Sequence, residues 1–325
     1  MKKTLIALAA LASIGSAFAQ TAPAAPAFTV YGLIDISYSK ANGADSVLYQ
    51  DKNSTSKVGL KGSADVGSGF KANFNLEAGK ILVTAKPNNS PLFDRQAWAG
   101  LSSEKFGEVR AGTQDSIGFQ ANAGFDLNGA ANDSQAAGLS GVPTTGNGGR
   151  TLAQYITPTF GGFKAQLGYM PMGDNKALVD AAGGKAAYAL AFSYAAGPFA
   201  AAVSYESAAT STAGVTGYYG YAVSNQDWSA VSASYDMGVA KLVATYANGG
   251  TGAKGYNLGV AVPVAGASVG VQYSANGDTK DTGIELFANK EVLKNVTAYL
   301  DYGKKHADAT STDSDLYSLG LIWAF

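Results

Sequence analysis

The sequence predicts an all-β chain closed into a sixteen-stranded antiparallel transmembrane barrel, with short periplasmic turns at one end and long external loops at the other. Three observations carry this. Apolar and polar residues alternate with period two along most of the chain. Charged residues make up only 14% of 325 residues, against 41 glycines and 18 tyrosines; an ordinary soluble domain carries roughly 25% charge. An export leader opens the sequence, and no later run approaches the ~18 apolar residues of a membrane helix.

The leader is Met1 to Ala19. Lys2 and Lys3 form its basic start, Leu5 to Ile14 its apolar run, and Ala17-Phe18-Ala19 a small-x-small cleavage site before Gln20. Residues 20–27 read as a short Ala/Pro tether, and 28–325 as the barrel. An exported chain without an apolar helix is either soluble beyond the inner membrane or a barrel in an outer one, and the alternation decides. In FKANFNLE, Phe70, Ala72, Phe74 and Leu76 share one face, opposite Lys71, Asn73, Asn75 and Glu77. ASVGVQYS (267–274) and DLYSLGLIWAF (315–325) repeat the pattern.

Sixteen such segments begin near Phe28, Ser56, Phe70, Phe93, Gly107, Arg150, Gly162, Ala186, Phe199, Trp228, Ala240, Lys254, Ala267, Thr282, Asn295 and Asp315. Short turns such as Gly67-Ser68-Gly69 and Ala265-Gly266 alternate with long connections, among them 40–55, 80–92, 114–149 and 304–314, as in an even-stranded meander. Inside lipid a bare strand edge costs several kcal/mol per group, so the first strand must join the last. The apolar face then meets lipid and the polar face a water-filled lumen. Tyr31, Tyr38, Trp98, Tyr169, Tyr205, Tyr273, Tyr302 and Trp323 are expected in interfacial girdles.

Composition excludes other classes. Lys+Arg is 23 and Asp+Glu 24, a formal charge of −1 with no basic patch for nucleic acid. There is no cysteine, hence no disulfide or thiolate site. The single histidine, His306, is expected as a solvated residue of the last long loop, and no catalytic residue, metal or cofactor is expected. GSGFKA (67–72) mimics part of a dinucleotide fingerprint but joins two strands, not a strand and a helix.

FTVYGLID (28–35), SKVGLKG (56–62), FDRQAWAGLSSEKFGEVRAGTQ (93–114), TPTFGGFKAQLGY (157–169) and the terminal Phe325 follow one another in an order and spacing that resemble the Gram-negative general porins of beta-proteobacteria. The resemblance spans the mature chain. It implies an outer-membrane homotrimer of sixteen-stranded barrels, a third loop folded inward as a constriction, and Phe325 as assembly signal. Two departures stand out. Thr113, not arginine, follows Gly112, and the acidic proline-and-glycine motif of the third loop is missing. The candidate loop, 114–149, carries only Asp115, Asp126 and Asp133 as charges, so the eyelet is expected to be wider or less polarised than usual.

Strand parity assigns the lining. Lys57, Lys61, Lys71, Arg95, Arg110, Arg150, Lys164 and Lys241 are expected to point inward, as are Asp35, Glu77, Glu108, Asp301 and Glu206. Arg95 is expected opposite in parity to Gln96 and Trp98. By resemblance, Lys57, Arg95 and Arg150 form a basic cluster facing the loop, where a transverse field sorts solutes. The excess of inward cations predicts a mild anion preference. The function implied is passive diffusion of ions and small hydrophilic solutes, with outer-membrane lipid and lipopolysaccharide as surroundings. A solute-specific channel, or an adhesin or receptor anchored by a barrel, stays open as an alternative.

Overall fold

The structure is a computed structural model that describes residues 27–79, 92–129, 137–141, 150–171, 185–208, 226–249 and 254–325. The expected leader, most of the tether and Asp133 lie outside these residues. Seventeen strands form one antiparallel sheet. They are β1 (Ala27–Ala41), β2 (Val47–Gln50), β3 (Lys57–Gly67), β4 (Phe70–Ala78), β5 (Gln96–Ser103), β6 (Gly107–Gln114), β7 (Arg150–Ile156), β8 (Phe163–Met170) and β9 (Ala187–Ala196). The second half comprises β10 (Phe199–Glu206), β11 (Trp228–Asp236), β12 (Lys241–Asn248), β13 (Lys254–Val264), β14 (Ala267–Asn276), β15 (Thr282–Leu293), β16 (Val296–Ala307) and β17 (Thr312–Ala324). Each spanning strand starts within three residues of its expected position. The unexpected one is β2, a four-residue strand within the first long connection that pairs with Ile36–Ser39 of β1. Sixteen strands therefore span, among the described residues.

The barrel closes between its ends. β1 pairs with β3 over its first half and with β17 from Leu33–Ala324 to Ala41–Leu316. The last residue extends this seam: the Phe325 and Gly32 backbones exchange two hydrogen bonds of 3.0 Å. No edge is left to lipid, as the absence of water there requires. At the short-turn end, Ala265 and Gly266 both take positive φ (50° and 77°), the twist a two-residue hairpin needs.

Parity holds along most strands. On β17, Tyr317, Leu319, Leu321 and Trp323 are exposed outward, while Ser318 and Gly320 are buried inward. Of the expected girdle, Tyr38, Tyr169, Tyr205, Tyr273 and Trp323 are exposed on the outer face. Tyr31 and Trp98 are not. The Tyr31 hydroxyl bonds Asn75 and Glu77, and Trp98 bonds Gln96, all on the lumenal side. The last long connection is also shorter than expected. β16 and β17 continue past it, so His306 lies in β16 opposite Asp313, which it contacts at 2.7 Å; Lys304 holds the same carboxylate at 2.8 Å.

The lumen is not uniformly polar. β9 (AYALAFSYAA) and the start of β10 (FAAAV) are apolar on both faces. Their inward alanines, Ala189, Ala191 and Ala202, pack with Ile117, Ala121 and Phe125 of the third long connection, L3 (114–149). A second cluster holds Leu152, Met170, Ala187, Trp228, Ala230 and Ala247. Alternation breaks here because this wall faces protein instead of water.

Candidate pore lining

L3 enters the lumen at once. Its helix α1 (Ile117–Asn122) starts at Ser116, whose Oγ accepts from Phe119 N at 3.1 Å. The helix lies on the alanine wall. Gly118 N donates to Glu206, and the Asn122 side chain bridges Ser204 and Ser232, both at 2.7 Å. Gly118 has no room for a side chain: a Cβ would stand 2.6 Å from Trp228 Cζ3. A 3-10 turn (Ala123–Phe125) then carries the loop to the opposite wall. There Leu127 N donates to Gln272 Oε1 at 3.2 Å, and Gln272 reaches Asp126 and Glu285.

Asn128 makes the densest contact of this half. Its Nδ2 donates to Glu285 Oε1 at 2.6 Å and Asp301 Oδ1 at 2.8 Å. Its Oδ1 accepts from Asn53 at 3.1 Å and Asn289 at 2.8 Å. One amide thus joins L3 to the first connection and to β15 and β16. Asp35 belongs to the same region. It is fully buried and accepts from Asn53 N, Ser54 N and Tyr299 Oη, each at 2.8 Å. It points inward, but it fastens the first connection to the wall and lies beneath it.

On the β3–β6 wall, Glu77 is the hub. Arg95 Nε meets Glu77 Oε1 at 2.7 Å, Lys57 Nζ meets Oε2 at 3.6 Å, and Tyr31 Oη donates to Oε2 at 2.9 Å. Asp115 joins through Gln96 at 2.8 Å, and Gln96 in turn accepts from Trp98. Arg110 lies over the Trp98 ring at 4.6 Å and donates to Gln120 and Gln154, both at 2.9 Å. Gln120 ties this wall to α1. Lys61 is exposed beside the Tyr31 ring at 5.1 Å.

Lys57, Lys61, Glu77, Arg95, Arg110 and Asp115 therefore come together. Asp126 sits away from them, against β14, and Asp133 lies outside the described residues. Arg150 pairs with Gln114 across β6 and β7; it is placed by its backbone alone. The expected parity of Arg95 against Gln96 and Trp98 is corrected. β5 starts at Gln96, so Arg95 belongs to the preceding turn, and all three reach the lumen. Glu285 and Asn128 were missed. Glu285 was readable, since Ile284 and Leu286 flank it on the outward parity.

A profile of the Gram-negative porin family matches residues 5–310. Outer membrane porin protein 32 of Delftia acidovorans is 32% identical over 295 residues, covering 84% of this chain and 80% of that one. An outer membrane porin protein of Bordetella pertussis is 30% identical over 296 residues, covering 81% of this chain and 74% of that one. Among solved structures, an anion-selective porin from Comamonas acidovorans superposes with a TM-score of 0.75 at 25% identity, over 92% of this chain and all of that one. Closed sheet, inward loop and these matches agree: the chain belongs to the Gram-negative porin family, whose members are outer-membrane channels.

Proposed function

We propose that the barrel is a mildly anion-preferring diffusion channel, exported with loss of residues 1–19, assembled as a homotrimer and set among outer-membrane lipid and lipopolysaccharide. It performs no covalent chemistry. Lys57, Glu77, Arg95, Arg110 and Asp115 line its narrow part, with Arg150 level with Gln114 beside them, and Phe325 acts as the assembly signal. One observation carries the ion preference. Asp35, Glu206 and Glu285 are fully buried beneath L3 and the first connection, while Lys61 and Lys71 are exposed and Lys57 and Arg95 keep 28% and 16% side-chain exposure. Buried acids that are hydrogen-bonded contribute little field to the water path; exposed cations contribute directly. Counting inward charges alone hides this asymmetry.

Planar-bilayer recording of the unboiled protein tests the reading. Conductance is expected to rise in steps of three, and a potassium chloride gradient is expected to give a reversal potential favouring chloride. A potential favouring potassium would overturn the preference, and single steps would overturn the trimer.

A further inference from the structure

The short-turn half of the β3–β6 wall holds a cavity of about 440 Å³ that no described residue of L3 lines, within the size range of small-molecule sites. Lys61, Ser63, Asn73, Asn75, Trp98 and Glu108 line it. Register puts them on one face: Lys61 is opposite Asn75, Asn75 opposite Trp98, Ser63 opposite Asn73, and Ser102 opposite Glu108. Three features point to a ligand. First, Lys61 and Glu108 carry opposite charges, and neither has an ion-pair partner within 4.0 Å among the described residues. Lys57, Glu77, Arg95, Arg110 and Asp115 have each found one or a hydrogen-bonded amide; Lys71, level with Glu108 two strands away, is the other exposed cation of this face. Second, the wall between them is amide and hydroxyl. Asn73 is fully engaged with Ser63 and Ser102, whereas Asn75 spends its Oδ1 on Tyr31 and keeps its amide hydrogens. Third, the floor is the Trp98 ring, backed by the Arg110 guanidinium.

We propose that this cavity is a transit site for short zwitterionic peptides of three residues carrying an aromatic side chain. The peptide carboxylate lies on Lys61 and Asn75, its ammonium on Glu108, and its ring on Trp98. A lone carboxylate solute fits less well, since Glu108 repels it. A single amino acid is too short. Lys61 and Glu108 stand three strands apart, roughly 14 Å at ~4.8 Å per strand, and Glu108 is four positions along β6 from Gly112, the residue level with Lys61, about 13 Å more along the strand, so their backbones lie roughly 20 Å apart. Their side chains close part of that distance, and an extended peptide at roughly 3.4 Å per residue closes the rest. The proposal rests on the diffusion-channel reading and narrows it.

The test is single-channel recording in symmetric potassium chloride with the tripeptide Gly-Phe-Gly added on the short-turn side. Current interruptions that saturate with peptide concentration are expected. N-acetylated Gly-Phe-Gly, its C-terminal amide, and Gly-Gly-Gly should each bind about fivefold more weakly or worse, the scale of one charge-assisted contact or ring lost in a wet site. Glu108→Gln should bind the free and acetylated peptides equally, and Lys61→Gln should do so for the free peptide and the amide. Equal block of the wild-type channel by all four peptides, or none, with potassium chloride conductance intact, overturns this site and leaves the channel reading standing. Absent conductance in the wild-type protein overturns the channel reading instead. The analogue series on the wild type decides the matter even where a variant fails to assemble.

Discussion

Through α1 and the turn after it L3 lays Ile117, Ala121 and Phe125 on the alanines of β9 and β10; three residues further on it offers one amide, Asn128, to carboxylates of β15 and β16. The two seats hold the same loop by different physics. Burial of Ile117 and Phe125 is worth roughly 1.5–3 kcal/mol each, is non-directional and is insensitive to salt. The amide seat is directional and nets only about 1.5–3 kcal/mol per bond to a charged group, yet it fixes where the tip stops. A loop needing only to be present inside a barrel could use the first alone. One that must define an aperture needs the second.

The comparison breaks most strongly at Gly118. Gly118→Val drives a branched side chain into fully buried Trp228, whose indole nitrogen is already committed to Gly141 O at 2.8 Å. Overpacking of this kind costs about 1–3 kcal/mol, and here α1 has no second place to lie. The expected outcome is a barrel that still assembles, because β1, β3 and β17 make the closure, but with larger single-channel conductance and rapid protease cleavage within 114–149. Unchanged conductance would mean that the alanine wall does not hold the loop.

Asn128→Leu keeps the volume and removes the amide. Glu285 retains Gln272 at 3.0 Å and Asp301 retains Asn53 at 3.3 Å, so neither carboxylate is left bare. The loss is therefore expected to be smaller than at Gly118, about 1–3 kcal/mol for the unmet bonds. With α1 still seated, only the tip moves. Noisier current at nearly unchanged mean conductance is expected in bilayer recording. A conductance rise matching that of Gly118→Val would show that the amide, not the apolar face, carries the loop.

Much of this was legible in the sequence, for a physical reason. Where one strand face meets lipid and the other water, hydropathy reports the fold directly, so strand starts and the inward set Lys57, Lys61, Glu77 and Arg110 follow from period two. Legibility fails where that contrast fails. On β9 and the start of β10 both faces are apolar, and no polar face marks the lumen there; the excess of alanine was the sign that something packs there. At Arg95 the strand starts three residues late, at Gln96. Asp94 and Arg95 form a turn fastened to β4 through Gly79 N–Asp94 Oδ1 at 2.7 Å, which resets parity. Tyr31 and Trp98 show the third limit: an aromatic ring suits an interface or a polar wall equally, and only its partners tell which. The contacts of Asn128 join residues up to 173 positions apart in the chain, a pairing that no local pattern encodes.

Ser116→Ala gives the mildest and most diagnostic break. It leaves the apolar face of α1 and the amide of Asn128 untouched and removes one acceptor, Oγ, from Phe119 N. A lost N-cap costs about 1 kcal/mol, roughly a fivefold change in a local opening equilibrium. Because Ile117 and Phe125 still hold the helix down, mean conductance should not change. Protease cleavage of L3, which samples the briefly opened loop, should rise by about that fivefold factor. If cleavage does not rise, the capping bond adds nothing to a helix already fixed by burial. If conductance rises as well, the aperture depends on helical order in α1 and not on its alanine seat, and the division of labour between the two seats of the loop would have to be redrawn.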